Sequence, residues 1–202
     1  TDGRVWLWRL PPHERVAAGE VRPEWAPAQV GLVAAVGAPI RSAAMGPEGI
    51  LALGTDAGRV VLLSARCRCA VGEYSLHDSA AVRGVEWRGA SELISFSSAP
   101  AGGAGWRNRV VSLRLPSGAA REIFGSRGAE PAPLTALRLS PSGRRLVAVF
   151  KDAPFQVWDV PSRTQIGASF LAAFPAVSAI AWLPPAAAAA TAAAAEVPAA
   201  AL

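Results

Sequence analysis

Apolar residues along this chain fall in short runs bounded by Gly, Pro, Asp and Ser, the pattern of strands joined by tight turns. Four runs look alike, each opening on a polar turn: Thr1–Trp8, Thr55–Leu63, Arg107–Leu113 and Lys151–Asp159. Aligned on Trp8, Leu63, Leu113 and Trp158, they recur at intervals of 55, 50 and 45 residues. The first interval is lengthened by the Pro- and Ala-rich stretch from Pro11 to Pro39. Further strands are predicted before the last three runs. Ile50–Gly54 follows the turn Gly46–Gly49, and Val82–Trp87 and Glu92–Phe96 precede the third run. Leu134–Leu139 and Leu146–Phe150 flank the turn Ser140-Pro141-Ser142-Gly143, whose Pro and Gly positions suit a type I turn. A closing strand is expected at Ala120–Phe124 and at Thr164–Phe170, and Val177–Trp182 restarts the cycle.

Four short antiparallel strands per repeat, at a period of about 40–50 residues, describe the blade of a β-propeller. A β-sandwich is the competing all-β solution, but its strands have one wet face and alternate cleanly. Here Arg59 is followed by Val-Val-Leu-Leu and Arg145 by Leu-Val-Ala-Val-Phe. Such strands are apolar on both faces, as a blade stacked between two neighbours requires. The expectation is therefore an all-β partial propeller over residues 1–184. It would hold about three and a half blades, with repeats ending near 10, 65, 115 and 160.

The run Phe155-Gln156-Val157-Trp158-Asp159-Val160 resembles the closing signature of a WD repeat, and Trp6-Leu7-Trp8-Arg9-Leu10 is a degenerate copy. The chain is on these residues identified as a member of the WD-repeat β-propeller family. The resemblance implies that Asp2, Asp56 and Asp152 occupy the tight turn between second and third strands. There a carboxylate accepts backbone N–H bonds and holds the turn. It also makes Trp8, Leu63, Leu113 and Trp158 the repeat's core positions. The family's Gly-His dipeptide is missing: His13 follows Pro12 and His77 follows Leu76. The buried His–Asp network of well-formed repeats is accordingly expected to be absent.

From Val82 to Trp182 the chain is similar to one subfamily of large WD-repeat scaffolds, and to the second of their two propellers. The residues are Val82–Trp87, Leu93–Phe96, Arg107-Asn108, Val147–Pro154, Trp158–Val160, Phe174-Pro175 and Ala181-Trp182. The resemblance implies a non-catalytic scaffold for protein–protein interaction, in a multi-subunit complex of Golgi vesicle tethering and ciliary signalling. Its place would be the cytoplasm, at the trans-Golgi network or cilium base. It brings no catalytic residues, cofactors, metals or small-molecule substrates.

Charge adds a second reading. The net charge is +5, and Lys151 is the only lysine, so the positive charge is carried by arginine. A basic chain invites binding of RNA or an acidic membrane surface. Against this, the arginines are scattered, with only Arg144 and Arg145 adjacent, and Arg, Ala, Gly and Pro rise together as compositional drift would raise them. The two cysteines, Cys67 and Cys69, share one side of an extended strand. A strained disulfide or half a metal site competes there with two ordinary thiols, and a four-ligand zinc site lacks its second pair.

Enzyme signatures are missing. The sequence has no Gly-x-Ser-x-Gly elbow, no phosphate-binding Gly-x-x-x-x-Gly-Lys loop and no His-Glu-x-x-His. Gly102-Gly103-Ala104-Gly105 reads as a flexible loop. His77 beside Asp78 could form a dyad, but neighbours in an extended segment seldom face each other. Trp8, Trp87, Trp158 and Trp182 fall at repeat-equivalent strand positions and are expected in the core. Trp25 and Trp106 lie in loops, and Trp106 with Arg107 is the candidate protein contact. Residues 185–202 form a low-complexity tail. Ala186–Ala195 holds nine Ala and one Thr between prolines, so a frayed helix or disorder is expected. No run of about 18 strongly apolar residues is present to span a bilayer. The chain opens in mid-motif without an initiator Met, which reads as a fragment of a longer protein. An unclosed propeller is expected to be poorly stable alone.

Overall fold

The computed structural model describes residues 3–9, 28–103, 105–125, 130–167, 177 and 180–182, with the backbone course alone for 7–9 and 28–35. Expectations for Asp2, Trp25 and the Ala-rich tail lie outside the described residues. Among the described residues, fourteen strands form three four-stranded antiparallel sheets and one two-stranded sheet. The two-stranded sheet pairs β1 (Arg4–Arg9) with β2 (Ala28–Ala35). The next sheet is β3 (Ile40–Met45), β4 (Ile50–Thr55), β5 (Arg59–Ser64) and β6 (Cys69–Ser75). Then follow β7 (Val82–Arg88), β8 (Glu92–Pro100), β9 (Trp106–Arg114) and β10 (Ala119–Gly125). The last comprises β11 (Leu134–Leu139), β12 (Arg145–Phe150), β13 (Gln156–Asp159) and β14 (Thr164–Ile166). In each four-stranded sheet, strands pair in chain order, so every connection is a hairpin. This is the all-β partial propeller that the repeats imply.

The chain forms two compact units, Thr1–Pro133 and Leu134–Leu202. In the first, the β3–β6 sheet is apolar on both faces. Leu53, Val61 and Leu63 face one way and meet Val5, Val36 and Ile40. Ala52, Val60 and Leu62 face the other way and pack on Val85, Leu93, Val111 and Leu113 of the next sheet. The uninterrupted Val-Val-Leu-Leu thus divides between two interfaces by the period-two alternation of a strand.

Each four-stranded sheet's first strand carries one extra residue at the same place. The register shifts between Ile40 and Ser42, between Val82 and Gly84, and between Leu134 and Ala136. The bulged residues Arg41, Arg83 and Thr135 are exposed. The first two sheets are joined at their first strands by Ser42 Oγ donating to the Val82 carbonyl at 2.9 Å and by Trp87 Nε1 donating to the Ala44 carbonyl at 3.1 Å. Close approach here depends on Gly54, where an added Cβ would lie 2.8 Å from Val82 Cβ. Gly54→Ala is expected to destabilise the first unit by about 1–3 kcal/mol, because a branched core side chain and backbone must move together. Urea unfolding checks this, and an unchanged midpoint would show that the interface yields.

The repeat pattern assigns no residue range to three strands: β2 in the Pro- and Ala-rich stretch, and β3 and β6. Most residues of β3 and β6 are small or polar, and none of their side chains is fully buried. Conversely, the restart at Val177–Trp182 is not a strand at the described positions 177 and 180–182. Trp182 instead donates its indole N–H to the Arg138 carbonyl at 3.3 Å.

Candidate functional site

At one end of the first unit, the β3–β6 and β7–β10 sheets part to leave a groove of about 370 Å³. Its walls come from four elements that hairpin folding brings to the same end. The β3–β4 turn supplies Pro47 and Glu48, and the β7–β8 turn supplies Ala90 and Ser91. The β9–β10 turn gives Leu115 and Pro116, while β6 gives Val71 and Tyr74. Ile50, Leu62 and Trp87 form the apolar floor. Gly46 lies against the Trp87 ring, with no room for a side chain, and the indole N–H is already used by Ala44. The groove therefore offers shape and apolar area, with Val71 53% exposed at its edge. Aromatic residues beside prolines and a branched aliphatic are the chemistry of a protein contact.

The expected turn carboxylates behave differently from the repeat rule. Asp56 lies between β4 and β5, but its carboxylate takes both guanidinium donors of Arg41 and no backbone N–H. That contact holds its pKa below the usual carboxylate range. The turn itself is tied by Thr55 Oγ1, which accepts from the Arg59 N–H at 3.2 Å. A cation brought alongside by the β3 bulge outcompetes the turn's amides. Asp152 lies in the β12–β13 turn with φ +53°, so its contribution is tolerance of the left-handed conformation.

Among the core positions, Leu63 and Leu113 are fully buried in the two faces just described. Trp8 pairs with Gln29 in backbone register. Trp158 is half-buried, as is the rest of β13, and its indole N–H donates to Gln156 Oε1 at 3.0 Å. Trp87 and Trp182 are likewise half-buried. Trp106 is half-buried and bridged to Glu130 by two backbone hydrogen bonds of 2.8 Å. Arg107 beside it is exposed.

His77 is buried without a Gly before it and without an Asp partner: its Nε2 lies 2.9 Å from Ser95 Oγ, itself buried on β8. Burial, then the Arg109 cation, pushes its pKa down to about 4, with Asp78 opposing. The imidazole is thus neutral, and the pair has the elements of a nucleophile and base without a solvent path. Nδ1 has no hydrogen-bond partner among the described residues. Asp78 turns outward to Arg109 at 2.7 Å, so the His77–Asp78 dyad does not form. Cys67, on the β5–β6 turn, and Cys69, the first residue of β6, are exposed free thiols. No three His, Cys, Asp or Glu side chains gather as a metal site among the described residues.

Comparison with known proteins matches residues 26–201 to the family described as the WDR11 second beta-propeller. WD repeat-containing protein 11 of Mus musculus is 31% identical over 136 residues, which are 67% of this chain and 11% of the relative. The Homo sapiens protein is 29% identical and the Danio rerio protein 31% identical over the same extent. The matched region is thus a small part of those relatives.

Proposed function

The chain belongs to the family of WDR11 second β-propellers, and on that premise we propose that it is a non-catalytic scaffold for protein–protein interaction. The observation that carries this reading is the apolar groove between the β3–β6 and β7–β10 sheets. It presents contact area without a catalytic group, and its walls are turns, which vary without disturbing the sheets. The occupant is a partner protein of a multi-subunit complex. Trp106 and Arg107, at the other end of the β7–β10 sheet, supply a second contact. The resemblance noted from Val82 to Trp182 supports a finer reading, in Golgi vesicle tethering and ciliary signalling, at the trans-Golgi network or cilium base. No helix among the described residues is long and apolar enough to cross a membrane.

Val71→Asp tests the groove without opening the core, since the side chain is half exposed already. The substitution is expected to weaken capture of the partner subunits at least tenfold, about 1.4 kcal/mol. It should leave the melting transition unchanged. Titration of the reconstituted complex measures this, and unchanged affinity would remove the groove from the interface.

A further inference from the structure

The arginines, scattered in sequence, are sorted in space. In the first unit, the end opposite the groove is electrostatically closed. Arg41 pairs with Asp56, Arg59 with Glu73, and Arg109 with both Asp78 and Glu122. Arg83 donates to the Ser98 carbonyl at 3.1 Å, leaving Arg107 as the unpaired cation there among the described residues. At the groove end the balance reverses. Arg88 pairs with Glu92, but Arg66, Arg68 and Arg114 have no side-chain partner among the described residues, and Glu48 is the one unpaired carboxylate near them. Arg66 and Arg68 stand on the β5–β6 turn, which is held beside the β3–β4 turn by the Ala65 N–H donating to the Gly49 carbonyl at 3.0 Å. Arg114 adjoins the groove residue Leu115. Two exposed large aliphatic side chains stand at this end as well: Met45 beside the β3–β4 turn, 64% exposed, and Val71. The second unit, taken by itself, repeats the combination at its β13–β14 turn, with Arg163 and exposed Ile166.

We propose that this end of the blades is a peripheral membrane-binding surface for anionic phospholipid. Arginines on protruding turns meet headgroup phosphates, and Met45, outside the groove walls, enters the headgroup–acyl boundary. The pairing of charge with exposed aliphatic carbon favours a bilayer over the other polyanions. RNA binding without a groove reader relies on bases stacked on exposed aromatic rings, and the exposed apolar groups here are Met and Val. An acidic peptide would neutralise the arginines but gives Met45, away from the groove walls, nothing to contact. Stable attachment to a bilayer needs two signals together, and a basic patch with inserted aliphatic chains supplies both.

The test uses the full-length protein and flotation with two sets of vesicles, phosphatidylcholine alone and phosphatidylcholine containing one-third phosphatidylserine. Preference for the anionic vesicles is expected, falling steeply with salt. Each arginine near an anionic surface is worth roughly fivefold in partitioning, so R66Q/R68Q/R114Q should lose about a hundredfold. R107Q, at the closed end, should change little. M45Q should weaken binding by an amount that persists at high salt, because apolar insertion is not screened. All these side chains are exposed, so melting transitions should match the wild type; the single variant R114Q, with about a fivefold loss, guards against a misfolded triple variant. Equal binding to both vesicle types would overturn the proposal, as would an R107Q loss equal to that of the triple variant. So would an acidic peptide that binds this end and strips the protein from vesicles at stoichiometric concentration, for the surface would then be a peptide site.

Discussion

Leu113→Ala is expected to lower the stability of the first unit by about 3–5 kcal/mol, at the upper range for a buried leucine. Leu113 is 0% exposed and lies on β9, a central strand that can shift only by breaking its ladders with β8 and β10. Its side chain belongs to the cluster that joins two sheets, with Ala52, Val60 and Leu62 on one side and Leu93 and Val111 on the other. Truncation therefore opens a cavity bounded by two rigid sheets, and neither can collapse into it without losing register. Urea unfolding followed by tryptophan fluorescence would measure this. A loss of less than about 1 kcal/mol for Leu113→Ala, the size expected at a surface position, would show that the two sheets do not pack there.

Acidification should destabilise the same unit through His77. The folded pKa is about 4 and the unfolded value 6.5, so the native state holds the imidazole neutral where the unfolded chain protonates it. His77 therefore contributes stability that is complete above pH 6.5 and lost as pH falls toward 4. The shift corresponds to about 3 kcal/mol across that window. Burial dominates, and Arg109 adds repulsion for the imidazolium. His77→Gln keeps a donor toward Ser95 and removes the titration. It is expected to be less stable at neutral pH, yet to lose less than the wild type between pH 7 and pH 5. Parallel pH dependences for the two proteins would exclude His77 as the titrating group. Asp56 and Asp159, whose carboxylates are held below their usual range, act in both proteins and cancel in the comparison.

The two predictions differ in how far the chain announces them. Leu113 was legible because a strand apolar on both faces has only one architectural home, between two other sheets. His77 was not, since its burial depends on the β6–β7 connection passing over Ser95 of a strand 18 residues later. The groove was equally hidden. Trp87 and Leu115 look like core residues in sequence, and only the divergence of two sheets at one end leaves them facing an opening.

What the sequence determined by itself is the class of fold and the rhythm of its repeats. Period-two alternation and turn residues are local, and runs such as Val60–Leu63 and Leu146–Phe150 carry their own requirement for cover on both sides. Half-wet strands such as β3 and β6 carry no such demand, which is why they were silent. What only the tertiary structure decided is the partnership of charges. Arg41 meets Asp56 across 15 residues and Arg109 meets Asp78 across 31, while Arg66, Arg68 and Arg114 are left unpaired among the described residues. Hairpin folding returns the chain to the same two ends, so residues distant in sequence share an edge. Electrostatic pairing depends on separation in space, which one-dimensional order does not contain.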